Sequence, residues 1–255
     1  MIKTRAIVLH RFPYSDSSFI VKALTEECGI ISFIVKGGKK KESPFRGALD
    51  PLALSEVVFR QNPNTELQFI KEATLLDWRK DLRNDLLSLA KAQVMAEMIM
   101  RYAPQGVPLQ EEFERLEEAL SEFDTTSADS HSTNSAPPHK SNIFARWLLD
   151  TCEMWGYNLD LETCSRCGKA LDKPAADFFP ETGGFICHAC LGVETPRARI
   201  ETLNGLWALR CVQQIEHPEF TENALLAYLR HHIGFLKEIH SIKFLNETRK
   251  LFPSI

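Results

Sequence analysis

The stretches Cys164-Ser165-Arg166-Cys167-Gly168 and Gly183-Gly184-Phe185-Ile186-Cys187-His188-Ala189-Cys190 carry the strongest fold signal in this chain of 255 residues. Each cysteine pair encloses two residues, and 19 residues separate the pairs. Two such knuckles, joined by a hairpin or loop, can turn four thiolates onto one tetrahedral zinc ion. The pattern therefore predicts a structural zinc module at about residues 160–195. Because four cysteines leave no open coordination position, we expect no chemistry at the metal.

Two alternatives to this ligand set stay open. The module could be degenerate and hold no metal, or His188 could compete with Cys190 as a ligand. The spacing favours a zinc site made by Cys164, Cys167, Cys187 and Cys190.

The remaining cysteines and the apolar pattern predict the compartment. Cys28, Cys152 and Cys211 stand singly in apolar surroundings, which predicts buried free thiols. Charged residues interrupt any apolar run near the N-terminus, and no stretch is apolar enough to span a membrane. We expect a cytoplasmic protein in a reducing compartment, with no membrane partner.

The first 75 residues have the pattern of a small β-barrel. Turn residues such as Gly29 and Asn62-Pro63-Asn64 separate short runs rich in β-branched and aromatic residues. The runs lie at 2–9, 19–24, 30–35, 52–59 and 67–72. Five strands spaced for antiparallel pairing predict an OB-fold, although an SH3-like barrel fits nearly as well.

A basic loop follows the third predicted strand. Four lysines, one arginine and two adjacent glycines lie between Lys36 and Arg46. Such a loop can neutralise phosphates without reading bases, and Phe12, Tyr14 and Phe45 could stack on unpaired bases. The alternative is a solvated loop that aids solubility. The candidate DNA-binding residues are Lys36, Lys39, Lys40, Lys41 and Arg46, extended by Arg5 and Arg11 if these face outward.

The charge distribution agrees with an anionic partner for the N-terminal part. Residues 1–80 carry a net charge of +4, whereas the rest of the chain carries −8.

From residue 84 the apolar period changes to that of helices. We expect Asn84 to cap a helix that Pro104 closes, followed by helices at about 109–123 and 143–155. After the zinc module we expect helices at 203–216, 221–238 and 241–251, and these three form a tail packed on the earlier helices. Residues 124–142 are polar and predict a flexible excursion. The fold class is thus α+β: an OB-fold domain over 1–80 and an α-helical domain over 81–255 that contains the zinc module.

Enzyme classes fit poorly. The sequence has no phosphate-binding glycine loop, no nucleophile elbow and no histidine pair at metal-ligand spacing. A hydrolase or nuclease ranks low because no acidic metal-binding cluster stands out. The sequence therefore favours no enzyme class.

The whole pattern resembles the bacterial recombination mediator family RecO. In the N-terminal part the resemblance rests on Ala6-Ile7-Val8-Leu9, Ser18-Phe19-Ile20-Val21, Leu24-Thr25-Glu26 with Gly29, and Lys36-Gly37 before Gly47, Leu49 and Pro51. In the centre it rests on Phe144, Leu148-Leu149, Gly156-Tyr157, Leu161, the first cysteine pair with Gly168, Phe178 or Phe179, Gly183-Gly184 and the second cysteine pair. Two features depart from the family: Leu159 stands where proline is usual, and the 124–142 excursion is longer and more polar.

The resemblance implies a DNA repair function without catalytic turnover, in a nucleoid-associated protein. Members of the family bind single- and double-stranded DNA, anneal complementary strands, engage the single-strand-binding protein and join RecR to load the recombinase. The acidic, apolar tail of the single-strand-binding protein would need a groove with cationic rims, for which Arg210, Arg230 and Lys237 are candidates. The competing hypothesis is a zinc-stabilised adaptor whose barrel binds protein and whose basic loop is incidental.

Overall fold

The computed structural model describes residues 1–125, 142–233 and 239–251. The strands are β1 (Ile2–Pro13), β2 (Phe19–Thr25), β3 (Gly29–Val35), β4 (Leu54–Arg60), β5 (Leu67–Asp77), β6 (Asp177–Phe179) and β7 (Gly184–Ile186). The helices are α1 (Lys80–Asn84), α2 (Leu86–Tyr102), α3 (Gln110–Thr125), α4 (Ile143–Met154), α5 (His188–Leu191), α6 (Ile200–Arg210), α7 (Pro218–Ile233) and α8 (His240–Leu251).

The first five strands close a barrel in the order β1-β2-β3-β5-β4. All pairs are antiparallel except β3 with β5, where Ser32–Ile34 run parallel to Leu67–Phe69. A bulge between Val8 and His10 bends β1, which pairs with β4 through its first half and with β2 over most of its length. This order confirms the OB-like barrel and selects it over the SH3-like alternative.

The barrel interior is filled by side chains that alternate along the strands. Val21, Phe33 and Phe59 are fully buried, and the rings of Phe33 and Phe59 meet edge to face at 5.1 Å. Such aromatic pairs add to the stabilisation that comes from their buried area. The period-2 pattern of the sequence therefore corresponds to a packed core.

The helices occur in the predicted order, but several begin or end at residues other than those predicted. Asp85, and not Asn84, caps α2: its side chain accepts a hydrogen bond from the Leu87 N–H. Asn84 instead ends the short helix α1. The predicted tail packing is confirmed for α8, which lies against α2. Most of the polar excursion predicted at 124–142 lies outside the described residues.

The chain forms two compact units. Within the described residues, one comprises 1–125 and 239–251, and so contains the barrel, α1–α3 and α8. The other comprises 142–233 and contains α4, the cysteine pairs, α6 and α7. The functional division between residues 1–80 and 81–255 stays a prediction.

Candidate metal centre and candidate nucleic-acid interface

The four predicted metal ligands lie together. The sulfur atoms of Cys164, Cys167, Cys187 and Cys190 are all within 4.8 Å of one another. The Sγ atoms of Cys167 and Cys187 are 3.9 Å apart. Sulfurs placed about 2.3 Å from one tetrahedral metal ion would be separated by nearly this distance. The cluster could therefore hold a metal ion, and the residues present fit zinc.

Backbone hydrogen bonds shape both cysteine knuckles. In the first, the Gly168 N–H donates to the Cys164 carbonyl at 2.8 Å, and Gly168 has a φ of +70°. In the second, the Cys190 N–H donates to the Cys187 carbonyl at 3.0 Å. The β6–β7 hairpin leads into Cys187, and the Ser165 N–H donates to the Phe185 carbonyl at 2.8 Å, which joins the first knuckle to this hairpin.

Neighbouring groups shift the pKa values of two of the four cysteines in opposite directions. Burial opposes ionisation of Cys164, but backbone N–H donors from Cys187, Cys167 and Arg166 outweigh it and lower the pKa of this thiol to about 6. The pKa of Cys190 is raised to about 12, because hydrogen bonds from its thiol to Cys167 and Cys187 favour its protonated form. A bound metal cation would stabilise the thiolate form of all four cysteines.

The neighbouring histidine and the other cysteines lie outside this cluster. His188 Nε2 lies 3.3 Å from the Pro174 carbonyl oxygen. Cys152 is buried, as predicted, but Cys28 is only partly buried and Cys211 is exposed. The prediction of a buried thiol was wrong for Cys211, because it lies at the C-terminal end of α6, where the chain is open to solvent.

Five of the predicted DNA contacts line one surface pocket. It has a volume of about 680 Å³ and is lined by Arg11, Lys39, Lys40, Lys41, Arg46, Pro13, Phe19, Gly38 and Asp50. Asp50 is the acidic member of this lining. We call this feature the basic pocket. Its five cations around one carboxylate create a positive field suited to a polyanion.

The loop is held on the barrel by its own backbone and by Phe19. The Lys39 N–H donates to the Ser17 carbonyl at 3.0 Å, and Lys39 Nζ donates to the Ser15 carbonyl at 2.5 Å. A β-carbon on Gly38 would lie 2.3 Å from the Phe19 ring, so only glycine permits this approach.

Arg11 lines the pocket and is held by two contacts. Its guanidinium bonds to Asp50 at 3.0 Å and lies over the Phe19 ring at 5.1 Å. The pairing orients Arg11, and its side chain remains 43% exposed.

The other two predicted contacts lie apart from this pocket. Arg5 binds the Glu26 carboxylate through two nitrogens, at 2.9 and 2.6 Å, and this pairing raises the pKa of Arg5. Lys36 lies over the exposed ring of Phe69 at 5.0 Å. Sequence reasoning missed Asp50 and Phe19 as pocket residues, because only barrel closure brings them to the loop.

The proposed stacking residues differ in exposure. Tyr14 is 58% exposed, whereas Phe12 is half-buried and Phe45 packs against the barrel core. Trp78, which the sequence did not single out, is 43% exposed.

A second cationic groove lies in the other compact unit. Its volume is about 510 Å³, and it is lined in part by Phe179, Arg197, Arg199 and Phe220, with Glu181 as the acidic member of the lining. Arg197 lies over the Phe179 ring at 5.1 Å, and Arg199 over the Phe220 ring at 5.2 Å. Of the predicted groove residues, Arg210 donates to the Leu171 carbonyl at 2.7 Å, Arg230 is exposed and Lys237 is outside the described residues.

Among the helices of the described residues, none is both long and apolar enough to cross a membrane.

Two family models match the chain. One, described as recombination protein O N terminal, matches residues 1–79, and the other, recombination protein O C terminal, matches residues 83–238.

Curated relatives match along nearly the same length. The DNA repair protein RecO of Anaeromyxobacter sp. (strain K) is 26% identical over 261 residues, which cover 98% of each chain. That of Syntrophobacter fumaroxidans is 26% identical and covers 96% of this chain and 97% of its own. That of Cutibacterium acnes is 28% identical over 81% of each chain. The two family models together match nearly the whole chain, and the C-terminal model alone matches more than half of it. This chain therefore belongs to the RecO family of DNA repair recombination mediators.

Proposed function

We propose that this protein binds single- and double-stranded DNA through the basic pocket, anneals complementary strands and acts with RecR to load the recombinase. Family membership supports the mediator role, and the cluster of five cations on the OB-like barrel supports DNA as the ligand. That pocket is the observation that carries the proposal.

Annealing follows from charge screening. Two complementary strands repel each other through their phosphates, and the exposed lysines Lys39, Lys40 and Lys41 can neutralise several phosphates at once. Lysine contacts to phosphate read no base identity, so base edges stay free to pair. No covalent bond is made or broken in this process, and the protein needs no catalytic group for it.

Zinc would have a structural role in this proposal. Cys164, Cys167, Cys187 and Cys190 would hold it as thiolates in a closed site. The ion supplies folding free energy to the module around it.

The test is annealing of two complementary labelled oligonucleotides across a salt series, with wild-type protein and with Lys39→Ala/Lys40→Ala/Lys41→Ala. We expect wild type to accelerate annealing and the triple variant to lose most of the effect. The slope of log affinity for single-stranded DNA against log salt should fall by about 2 units, because three phosphate contacts are lost.

A matched control removes three exposed lysines that do not line the pocket: Lys169→Ala/Lys173→Ala/Lys243→Ala. It should anneal like wild type. If both triple variants lose activity equally, overall charge and not the pocket is responsible. Absence of DNA binding at low salt would leave the protein-binding adaptor as the function.

We further propose that the groove between Arg197 and Arg199 receives the acidic, apolar tail of the single-strand-binding protein. Phe179 and Phe220 offer apolar surface, and a guanidinium group lies over each ring. Arg197→Glu/Arg199→Glu should weaken binding of a peptide with that tail chemistry at least tenfold, whereas the exposed Arg230→Glu should not. Equal loss in both would point to non-specific charge.

A further inference from the structure

Trp78 is a large aromatic residue left on the surface directly after β5. It is 43% exposed, yet its position is fixed by two contacts. Its indole Nε1–H donates to Asp50 Oδ2 at 3.2 Å, and the guanidinium carbon of Arg83 lies 4.6 Å from its ring centre. Tryptophan is usually well buried, so an exposed and oriented indole suggests a ligand for its ring.

Arg83 is itself held in place. Its Nε donates to the Trp78 carbonyl at 2.6 Å, and its Nη2 donates to the Pro51 carbonyl at 2.7 Å. The guanidinium therefore supports the indole through a cation–π contact and keeps it from rotating freely. Little side-chain entropy is left to lose when a ligand binds.

Asp50 connects Trp78 to the basic pocket. One oxygen of its carboxylate accepts the bond from Trp78, and the other accepts the bond from Arg11 at 3.0 Å. Asp50 also lines the pocket together with the three lysines. The indole thus borders a site that is suited to phosphate.

We propose that Trp78 is a stacking platform for an unpaired base of a single-stranded nucleic acid whose phosphates occupy the basic pocket. This inference rests on the proposed DNA binding and adds the surface that distinguishes bases from bare phosphate. Stacking on an aromatic ring tolerates every base, because each has a π-face. The platform therefore selects unpaired over paired strands without selecting sequence.

Exposed apolar residues near Trp78 raise an alternative, in which a protein binds this surface instead of a nucleic acid. Leu75 and Leu76 are 40% and 50% exposed, and a protein side chain could cover them together with Trp78. The five adjacent cations favour the nucleic acid by charge complementarity.

The experiment compares binding of a thymidine 12-mer and of an abasic 12-mer with the same phosphates, using the full chain at low salt. Wild type should bind the thymidine oligomer about 5- to 150-fold more tightly, which is the range for one stacked base. Trp78→Ala should lose this ratio, with affinity for the abasic oligomer and the salt slope unchanged.

Three further variants keep the test decisive. Trp78→Phe retains a ring and should keep most of the ratio, whereas Trp78→Leu keeps apolar volume without a π-face and should lose it. Leu76→Ala removes apolar surface two residues away and should change neither oligomer's binding. Thermal unfolding of each variant checks its folding.

Each contrary outcome is distinct. A wild-type ratio near one, or Trp78 variants that weaken both oligomers equally, overturns the stacking role while DNA binding stands. Unchanged binding of both oligomers in Trp78→Ala also overturns the stacking role, and it would point to a protein ligand for this surface. Absence of binding to either oligomer by wild type overturns the proposed function and the stacking role together.

Discussion

At the scale of single residues, two separate constraints require glycine at position 29. Gly29 occupies the β2–β3 turn with a φ of +68°, a conformation that other residues adopt only at a cost. A β-carbon there would also lie 2.0 Å from the Val107 carbonyl oxygen, which belongs to the α2–α3 connection. The turn pattern of the sequence predicts the positive φ, whereas the close approach of Val107 arises only in the folded chain.

Gly29→Ala should therefore destabilise the compact unit that contains the barrel by about 2–5 kcal/mol, the sum of backbone strain and overpacking. Urea unfolding measures this change. Gly106→Ala is the matched control, because Gly106 has a φ of +76° but nothing within 4 Å of its added carbon. It should cost only the strain of about 1–2 kcal/mol. Equal costs for both variants would refute the steric contribution of Val107.

At the scale of elements, the attachment of α8 depends on Glu97 of α2. Its carboxylate accepts the backbone N–H groups of His240 and Ser241 at 3.1 and 2.8 Å, and the Ser241 hydroxyl at 2.7 Å. A carboxylate at a helix N-terminus accepts hydrogen bonds from unpaired backbone N–H groups and interacts favourably with the positive end of the helix dipole. Burial disfavours the charged form, but the bonds from Ser241 and His240 and the nearby Arg101 outweigh it, so the pKa of Glu97 is lowered.

Glu97→Gln should weaken this attachment by about 1–2 kcal/mol at neutral pH, because bonds to a charged acceptor are lost. A carboxyl group with a lowered folded-state pKa stabilises the protein above its unfolded value of 4.5, and this contribution is lost as pH falls through the folded value. The difference between wild type and variant should thus vanish in acid. Hydrogen exchange of α8 amides at pH 7 and in acid measures it; a difference that persists in acid would contradict the role of the charge.

At the scale of the whole molecule, the chain leaves the compact unit of the barrel after α3 and returns to it with α8. The cysteine cluster belongs to the intervening unit. Stability that comes from a metal should therefore concentrate in that unit.

Cys164→Ser/Cys187→Ser should abolish metal binding and lower protection from hydrogen exchange within residues 160–195, with the barrel little affected. Elemental analysis and peptide-level hydrogen exchange measure the two effects. Cys211→Ser is the control, since this exposed thiol lies outside the cluster. Full metal content and unchanged protection in the double variant would rule out the structural site.

The sequence alone determined the features that depend on local spacing. The two-residue gap within each cysteine pair is enough to form a knuckle, and alternating apolar residues are enough to form the strands of a barrel. Helix ends were less certain, because Asn84 and Asp85 are both good caps and the choice depends on the short helix α1.

Only the tertiary structure decided which distant side chains meet. Arg5 and Arg11 both lie on β1, yet barrel register places Arg5 beside Glu26 and Arg11 beside Asp50 and the lysine loop. Trp78 borders the basic pocket only because Asp50, 28 residues earlier, accepts its indole N–H. Strand alternation tells which face of its own sheet a residue occupies, whereas strand register and closure of the barrel set its neighbours, and these depend on the chain as a whole.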